Sequence, residues 1–293
     1  MQTIREIYDD YVALNEPRLR PATIANFKSA MKHLFEYFGE DRKLDTIKRR
    51  EVVEFLRFGL GPKDFKASSL AGLVTNYKSL WLHASDTLDT VDVDTFKMLR
   101  SWRFANKDRS PAKSRVPEVS DVVKVIRMES NRNPRIAMLM KFIALMGVRA
   151  NEAGTILVRD VKMIDNVLTV TIRKSKTEAG NRTIPVHRDL VNEVRMLCYD
   201  RDPEATLLGY GINKQGRSTI SAVVHQSLKK NKAAFTCHGL RHLFIDKARD
   251  AGIPKELRDM IVGHRMAGMG GVYGKGFNLK KQQEALNKIQ LTA

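Results

Sequence analysis

The sequence predicts a mainly α-helical protein of two domains, in which the second domain also contains a small antiparallel β-sheet. Three observations lead to this fold class. The length of 293 residues is enough for two domains of ordinary size. The first hundred residues repeat apolar side chains at the spacing of amphipathic helices. In contrast, residues 167–173 and 182–186 alternate apolar and polar side chains, as strands do.

The N-terminal domain, residues 1–104, is predicted from successive helix signals. Thr3 and Glu6 have the spacing of a capping box, which predicts a helix that begins just after Thr3. A second helix is expected from about Ala22 and ends at Gly39, because glycine readily adopts the conformation that closes a helix. Further helices are expected near residues 49–58 and 68–83, with a shorter one around residues 96–99.

A polar, basic segment at residues 105–117 separates the two domains. It lacks apolar periodicity and is interrupted by two prolines, which is typical of a linker. Its basic side chains suit contact with a phosphate backbone, although a linker that is only solvated explains them equally well. These residues are Lys107, Arg109, Lys113 and Arg115.

The second domain, residues 118–293, is predicted to combine helices with a β-hairpin. The turn-like residues 175–181 connect the two strands of this hairpin. The C-terminal tail, residues 275–293, places Leu279, Leu286 and Ile289 on one helical stripe. The other helices are expected near residues 119–128, 135–146, 189–198, 219–230, 238–251 and 255–261.

The charge balance indicates a polyanionic partner. The chain carries 51 Lys and Arg against 33 Asp and Glu, a net charge of +18. Residues 1–110 contribute +3 of this charge, from 19 basic and 16 acidic side chains, and residues 111–293 contribute the remaining +15. Nucleic acid is the commonest partner of so basic a chain. A basic surface that serves only solubility is the alternative.

Composition also excludes several classes of protein. No apolar run approaches the roughly 18 residues that a membrane span needs. The acidic N-terminus does not resemble a signal peptide, so a cytoplasmic protein without a membrane partner is expected. The two cysteines, Cys198 and Cys237, are too few for a disulfide framework or a cysteine-rich metal site.

Two short motifs place basic side chains where they can meet an anion. Arg149 follows an apolar helix and precedes Glu152 by three residues, which fits a guanidinium oriented by a carboxylate. Taken alone, a surface ion pair is the simpler interpretation of this motif. Lys174 and Lys176 lie at the hairpin turn, from which a flexible lysine can reach into a cleft. Exposed turn lysines without a function are also common.

A second pair of motifs lies near the C-terminus. His238 and His242 have the spacing of a helical zinc pair, but Arg241 shares the face of His238 and opposes a bound metal, so no metal is expected. An Arg beside a His at a helix N-terminus suits an anion instead, because the backbone N–H groups and the helix dipole favour negative charge. His264 follows a glycine, and Tyr273 lies nine residues further on in a glycine-rich stretch.

The four motifs together resemble those of the tyrosine site-specific recombinases of the phage integrase family, in particular the prophage-type integrases. The resemblance extends to their order, their local sequences and their spacing. The resemblance rests on a GVRANE box, a hairpin lysine, an H-x-L-R-H box, a Gly-His pair and the tyrosine, across about residues 140–275. It implies a helical core-binding domain that clamps DNA, followed by a mixed α+β catalytic domain. Many relatives have serine and threonine after the Gly-His pair, whereas here methionine and glycine follow.

The resemblance also implies a mechanism, in which a tyrosine attacks the scissile phosphate and forms a 3′-phosphotyrosyl link. Two arginines bind the non-bridging oxygens, so neither a metal, a cofactor nor ATP is expected. The implied catalytic residues are Arg149, Lys176, His238, Arg241, His264 and the nucleophile Tyr273. In this scheme Glu152 braces the arginines and His242 contributes packing. Lys174 is the alternative to Lys176 as general acid and a candidate DNA contact.

The expected partner is double-stranded DNA that carries a specific recombination site. The family assembles as homotetramers on DNA, so a monomer or weak oligomer is expected in the free state, with possible accessory DNA-bending or directionality factors. In relatives the tail packs on a neighbouring subunit, so deletion of the residues after Asn278 is expected to impair assembly and to spare monomer folding. The chain begins with the helical domain, so binding to distant arm sites is not expected.

Three other activities compete with this interpretation. A type IB topoisomerase shares the tyrosine chemistry but relaxes DNA without exchanging partners. A non-catalytic DNA-binding protein derived from an integrase would lack part of the catalytic set. A metal-dependent nuclease would need acidic residues clustered around the histidines, and the sequence places none there.

Overall fold

The computed structural model describes residues 2–63, 65–87, 116–173, 181–211, 219–264 and 277–291. Contacts between Cα atoms divide the chain into two compact units, Met1–Pro111 and Ala112–Ala293. Both units are mainly helical, and the second also contains a small antiparallel sheet, so the predicted fold class is confirmed. The helix expected around residues 96–99 lies outside the described residues.

The first unit is built from four helices among its described residues. Its core collects buried side chains from all four helices and from the turn after the third, and the largest include Phe27, Phe55, Tyr77 and Trp81. The four helices are α1 (Ile4–Asn15), α2 (Pro21–Phe38), α3 (Arg49–Glu54) and α4 (Ala67–Thr87).

Local sequence determines where α1 begins and how the helix that starts with α3 ends. The hydroxyl of Thr3 accepts from the N–H of Glu6, and the carboxylate of Glu6 accepts from the N–H of Thr3, which confirms the predicted capping box. The helix expected over residues 49–58 is present, but only Arg49–Glu54 is α-helical. After α3 the chain widens into a π-helical turn over Phe55–Gly59, in which the N–H of Leu60 donates to the carbonyl of Phe55 at 3.0 Å.

The second unit surrounds one long buried helix. Its helices are α5 (Val119–Arg132), α6 (Pro134–Met146), α7 (Ala150–Thr155), α8 (Val191–Cys198), α9 (Ile220–Lys230), α10 (Cys237–Asp250), α11 (Lys255–Val262) and α12 (Leu279–Leu286). Helix α6 packs against α5, α9 and α10, and most of its side chains are buried. The short helix α7 was not predicted, because six residues are too few to display a helical period.

Helix α6 ends at a glycine that the packing requires. Gly147 closes the helix with a φ of 62°, in the left-handed region. A Cβ at this position would lie 2.3 Å from Cδ1 of Phe244 in α10, so no larger residue fits without displacing that ring. This close contact brings the end of α6 against α10, and the functional site described below forms where they meet.

The sheet has the strand order β1-β2-β3, with β1 (Val161–Ile164), β2 (Val167–Ile172) and β3 (Arg182–Pro185), all antiparallel. Val170 in the centre of β2 pairs with Val161 and Ile184. The hairpin of β2 and β3 confirms the predicted one. Strand β1 was missed, because it has only four residues and its side chains are mostly exposed.

The prediction that β2 is half buried is wrong. Five of its six residues are buried, and these include the polar Thr169. Helices α7 and α12 both pack on this strand, and β2 is also the middle strand of the sheet. The alternation of apolar and polar residues therefore predicted a β-strand correctly, but it did not show that both faces of the strand are covered.

The C-terminal helix α12 packs on strand β3 of its own unit. Leu286 and Ile289 of the predicted stripe are buried, and the buried ring of His187 lies 2.9 Å through Nε2 from the carbonyl of Ile289. The tail is therefore part of the core of this unit. From its sequence, the monomer is expected to fold without the residues after Asn278. The burial of Leu286 and Ile289 in this core argues against that expectation. Within the described residues, no helix combines the length and the apolar character that a bilayer crossing requires.

Candidate active site

A buried carboxylate lies at the start of α7 and holds the first arginine of the site. The N–H of Arg149 donates to Glu152 Oε2 at 3.0 Å, and Nη1 of Arg149 donates to Oε1 at 2.6 Å. Nη2 of the same guanidinium donates to the carbonyl of Gly263 at 3.3 Å. The side chain of Glu152 is 2% exposed and that of Arg149 is 31% exposed. The interpretation of this motif as a surface ion pair is therefore wrong.

The second arginine, Arg241 of α10, is almost completely buried, with an exposed fraction of 2%. Its Nη1 donates to the carbonyl of Gly147 at 2.6 Å, and its Nη2 donates to the carbonyl of Val262 at 2.9 Å. These two carbonyls end α6 and α11, where the helix dipole presents negative partial charge. Nη1 of Arg241 lies 4.0 Å from Glu152 Oε2, so both arginines face the same carboxylate.

A third arginine, Arg182, completes the cluster and was not among the predicted site residues. Its Nε donates to the carbonyl of Ile261 at 2.6 Å, and its Nη2 donates to Glu152 Oε2 at 3.1 Å. A sequence signal for it exists. In the strand pattern Arg182, Ile184 and Val186 fall on one face, and the other two are buried apolar residues. A charged residue on an otherwise buried face of a strand indicates a buried partner.

His264 borders this cluster at the end of α11. Gly263 closes the helix with a φ of 69°, and the N–H of His264 donates to the carbonyl of Asp259 at 3.0 Å. Nδ1 of His264 lies 3.3 Å from Asp259 Oδ1, and Lys255 Nζ lies 3.1 Å from the other carboxylate oxygen. The imidazole is 41% exposed, so a ligand can reach it.

The charges in this cluster do not balance. Arg149, Arg182 and Arg241 carry three positive charges against one negative charge on Glu152, a net of +2 for the four side chains. Burial opposes ionisation of Glu152, but the charge of Arg182 and the hydrogen bonds from Arg149 outweigh it, so the pKa of Glu152 is lowered. Burial, together with repulsion from Arg149, lowers the pKa of Arg241 to about 9. The cluster is therefore stabilised by an added anion.

The pKa of His264 is also lowered, first by burial and then by the charge of Arg241, while the carboxylate of Asp259 acts in the opposite direction. Because a carboxylate can only accept, Nδ1 of His264 carries the proton of this hydrogen bond. Nε2 then accepts in the neutral ring and donates only in the imidazolium. His264 can therefore donate to a phosphate oxygen when it is charged.

The two histidines at the start of α10 lie on its accessible side. The hydroxyl of Thr236 caps the helix by accepting from the N–H of Gly239 at 3.1 Å. His238 is exposed, and its ring meets that of His242 edge to face, with centroids 4.5 Å apart. Within the described ranges, no group of His, Cys, Asp or Glu side chains has the arrangement of a metal site.

The structure thus brings four of the predicted residues into one site: Arg149, Glu152, Arg241 and His264. His238 lies one helical turn before Arg241, and its ring contacts that of His242. The remaining predicted residues lie outside the described residues. They are the nucleophile Tyr273, the lysines Lys174 and Lys176, and the linker residues Lys107, Arg109, Lys113 and Arg115.

Comparison with known families finds matches in both halves of the chain. Residues 115–276 match the model of the phage integrase family. Residues 3–58 match the model described as the phage integrase N-terminal SAM-like domain. No curated protein matches the sequence.

The fold is similar to those of several solved integrases. The Tn1549 transposon integrase in complex with transposon right end DNA has a TM-score of 0.70 at 15% identity, over 92% of this chain and 97% of that one. A lambda integrase dimer bound to a COC′ core site has a TM-score of 0.66 at 18% identity, over 92% and 97%. A lambda integrase tetramer bound to a Holliday junction has a TM-score of 0.68 at 16% identity, over 92% and 77%.

Proposed function

Because the chain belongs to the phage integrase family, we propose that its buried arginine cluster binds the scissile phosphate of DNA and that Tyr273 is the nucleophile. As a tyrosine recombinase of this family, the protein is an enzyme of site-specific recombination that cleaves and rejoins DNA strands. The observation that carries the residue assignment is the net charge of +2 on Arg149, Arg182, Arg241 and Glu152, held in a buried site.

A phosphodiester resists nucleophilic attack, and the site has to overcome that resistance. Its negative charge repels a nucleophile, and the charge on its non-bridging oxygens grows in the transition state. Arg149 and Arg241, whose guanidiniums are held by main-chain carbonyls, stabilise that added charge without having to reorganise. His264 supplies a further donor to the same oxygens when its ring is charged, a state that the negative charge of a bound phosphate favours.

In the proposed step the phenolic oxygen of Tyr273 forms a bond to phosphorus, and the bond from phosphorus to the 5′ oxygen breaks. The phenolic proton passes towards His238, and Lys176 donates a proton to the leaving 5′ oxygen. Lys174 is the alternative donor. The phosphotyrosyl ester retains the energy of the bond that broke, so the 5′-hydroxyl of another strand can reverse the step without ATP.

The partner that this chemistry requires is double-stranded DNA with a specific recombination site. We propose that residues 1–104 form a DNA-clamping domain, that residues 105–117 are a basic linker, and that residues 118–293 form the catalytic domain. The net charge of +15 in residues 111–293 supports DNA binding by the catalytic half. The lambda integrase crystallised as a dimer on a core site and as a tetramer on a Holliday junction. We propose a similar homotetramer on DNA and a cytoplasmic location for this protein.

The experiment that tests this function begins with the DNA site. Duplexes bound by Tyr273→Phe, which keeps the phosphate-binding side chains, are enriched from a random library and sequenced. A nicked duplex of the enriched sequence is then incubated with the wild type and with Tyr273→Phe in EDTA. A covalent protein–DNA complex is expected from the wild type only. Cleavage that requires added metal, or that survives in Tyr273→Phe, would contradict the proposal, and relaxation of supercoiled DNA without the site would indicate a topoisomerase.

A further inference from the structure

Arg182 is a buried cation that adds to the charge of the cluster, but the proposed chemistry gives it no contact with the phosphate and no sequence motif includes it. It is the first residue of β3, and its side chain is 7% exposed. Burial lowers the pKa of its guanidinium, and the charge of Glu152 only partly offsets this effect. A third arginine beside two others is therefore unfavourable for the fold on electrostatic grounds alone.

The contacts of Arg182 connect three separate elements of the site. Through Nε it holds the carbonyl of Ile261 in the last turn of α11, and through Nη2 it holds Glu152 of α7. The end of α11 approaches this guanidinium so closely that a Cβ at Gly263 would lie 2.5 Å from Arg182 Nη1. The guanidinium of arginine carries its donors on three nitrogens in a fixed plane, so Nε and Nη2 can bind acceptors that lie apart, whereas a lysine donates from a single nitrogen.

The two buried arginines are at different distances from the same carboxylate oxygen. Glu152 Oε2 lies 3.1 Å from Nη2 of Arg182 but 4.0 Å from Nη1 of Arg241. Only the first distance is a hydrogen bond. Arg182 and the main-chain N–H of Arg149, which donates at 3.0 Å, thus share the oxygen that would otherwise draw in Arg241. The guanidinium of Arg241 stays directed at the two helix ends.

We propose that Arg182 is a positioning residue of the strand-transfer reaction: by holding Glu152 Oε2 and the last turn of α11, it keeps Arg241 available to the scissile phosphate. This inference rests on the proposed function, because it takes Arg149 and Arg241 as the phosphate-binding pair. Without Arg182, Glu152 turns towards Arg241 and forms an ion pair with it, and that pair competes with the phosphate in the transition state.

The test measures covalent complex formation on the nicked duplex of the enriched sequence, with DNA in excess and under single-turnover conditions. The variants are Arg182→Met, Arg182→Lys, Glu152→Gln and the double variant Arg182→Met/Glu152→Gln. The matched control is Arg201→Met. Arg201 also donates to main-chain carbonyls, those of Leu197, Thr206 and Leu207, at 2.8 Å each, and none of its hydrogen bonds reaches Glu152.

Arg182→Met is expected to lower the cleavage rate by about tenfold or more while the Kd for DNA changes by less than about threefold. In the Glu152→Gln background the same change is expected to have a clearly smaller effect on the rate, because the part of the role of Arg182 that passes through the Glu152 carboxylate is already lost. Arg182→Lys keeps the positive charge but loses the planar guanidinium. It is therefore expected to fold like the wild type and to cleave DNA as slowly as Arg182→Met. Arg201→Met is expected to lower the Tm. In the further control Arg201→Met/Glu152→Gln, the two changes are expected to affect the cleavage rate independently of each other.

Three outcomes would overturn the positioning role. The first is a wild-type cleavage rate in Arg182→Met, and the second is a wild-type cleavage rate in Arg182→Lys. The third is a double variant whose loss of rate is the product of the losses in Arg182→Met and Glu152→Gln. If Arg182→Met does not fold, Arg182→Lys decides the question alone. The proposed function fails in a different way, because the wild type would then form no covalent complex through Tyr273.

Discussion

Nδ1 of His264 lies 3.3 Å from Oδ1 of Asp259, and the main-chain N–H of the histidine donates to the carbonyl of the same aspartate at 3.0 Å. The imidazole is thereby fixed with its Nδ1 side towards α11 and its partly exposed remainder available to a ligand. Because Nε2 donates only in the charged ring, the contribution of His264 to phosphate binding depends on pH.

The first prediction concerns Asp259→Asn. The carboxylate of Asp259 raises the pKa of His264 against the opposing effects of burial and Arg241, so its loss lowers that pKa. The donor form is lost as pH rises through this pKa. The cleavage rate of Asp259→Asn is therefore expected to decline at a lower pH than that of the wild type. The measurement is the single-turnover rate of covalent complex formation against pH.

Lys255→Gln is the control for this prediction. It removes the other ion-pair partner of Asp259 and leaves the carboxylate beside His264 in place, so the decline is not expected to move to lower pH. Superimposable pH profiles for Asp259→Asn and the wild type would show that His264 does not titrate in the reaction.

The second prediction compares two glycines with left-handed backbones. Gly263 has a φ of 69° and Gly252 a φ of 66°, but only a Cβ at Gly263 meets a neighbour, Nη1 of Arg182 at 2.5 Å. Gly252→Ala is expected to cost about 1–2 kcal/mol from backbone strain. Gly263→Ala is expected to cost about 1–3 kcal/mol more, because the arginine must move. Urea unfolding measures both, and equal losses would show that Arg182 adapts freely.

The third prediction concerns the tail. Leu286 of α12 is completely buried in the second unit, whereas Leu279 of the same helix is only partly buried. Leu286→Ala is expected to lower the free energy of unfolding of the monomer by about 2–5 kcal/mol, because it leaves a cavity. Leu279→Ala is expected to cost about 1 kcal/mol. Similar small losses in free monomer would show that α12 is not docked on its own β3 in solution.

The fourth prediction concerns His187, whose ring is completely buried against the tail. Burial lowers its pKa, although the carbonyl of Ile289 acts in the opposite direction. Since the unfolded chain binds this proton more readily, the stabilising contribution is complete above the unfolded pKa and is lost as pH falls towards the folded one. The free energy of unfolding is expected to fall more between about pH 7 and pH 5 in the wild type than in His187→Gln.

Urea unfolding of both proteins at these two pH values gives the required difference. His187→Gln keeps an amide that can donate to the carbonyl of Ile289, so the comparison isolates titration of the ring from loss of the hydrogen bond. Equal pH dependence in the two proteins would mean that the imidazole is not neutral and buried in the folded chain.

Local signals accounted for most of the helices. The capping box at Thr3 and the glycine after α6 act within a few residues of the helix ends that they set, so they can be read from a sequence. The anionic ligand of the site was likewise implied by Arg149 and Arg241 together with their flanking motifs. Strand β1 and helix α7 were too short to show a period, and burial of Thr169 depends on α7 and α12 packing over β2.

The sequence alone determined the family resemblance, the excess of positive charge and the presence of Arg149, Glu152, Arg241 and His264 in a fixed order. Only the tertiary structure decided that the buried carboxylate of Glu152 faces all three arginines. It also decided that Asp259 holds His264 and that Arg182 belongs to the cluster. The physical reason is that Arg182 lies 30 residues from Glu152 and 79 from Ile261 in the chain. Contacts over such separations depend on how helices and strands pack, which no local pattern records.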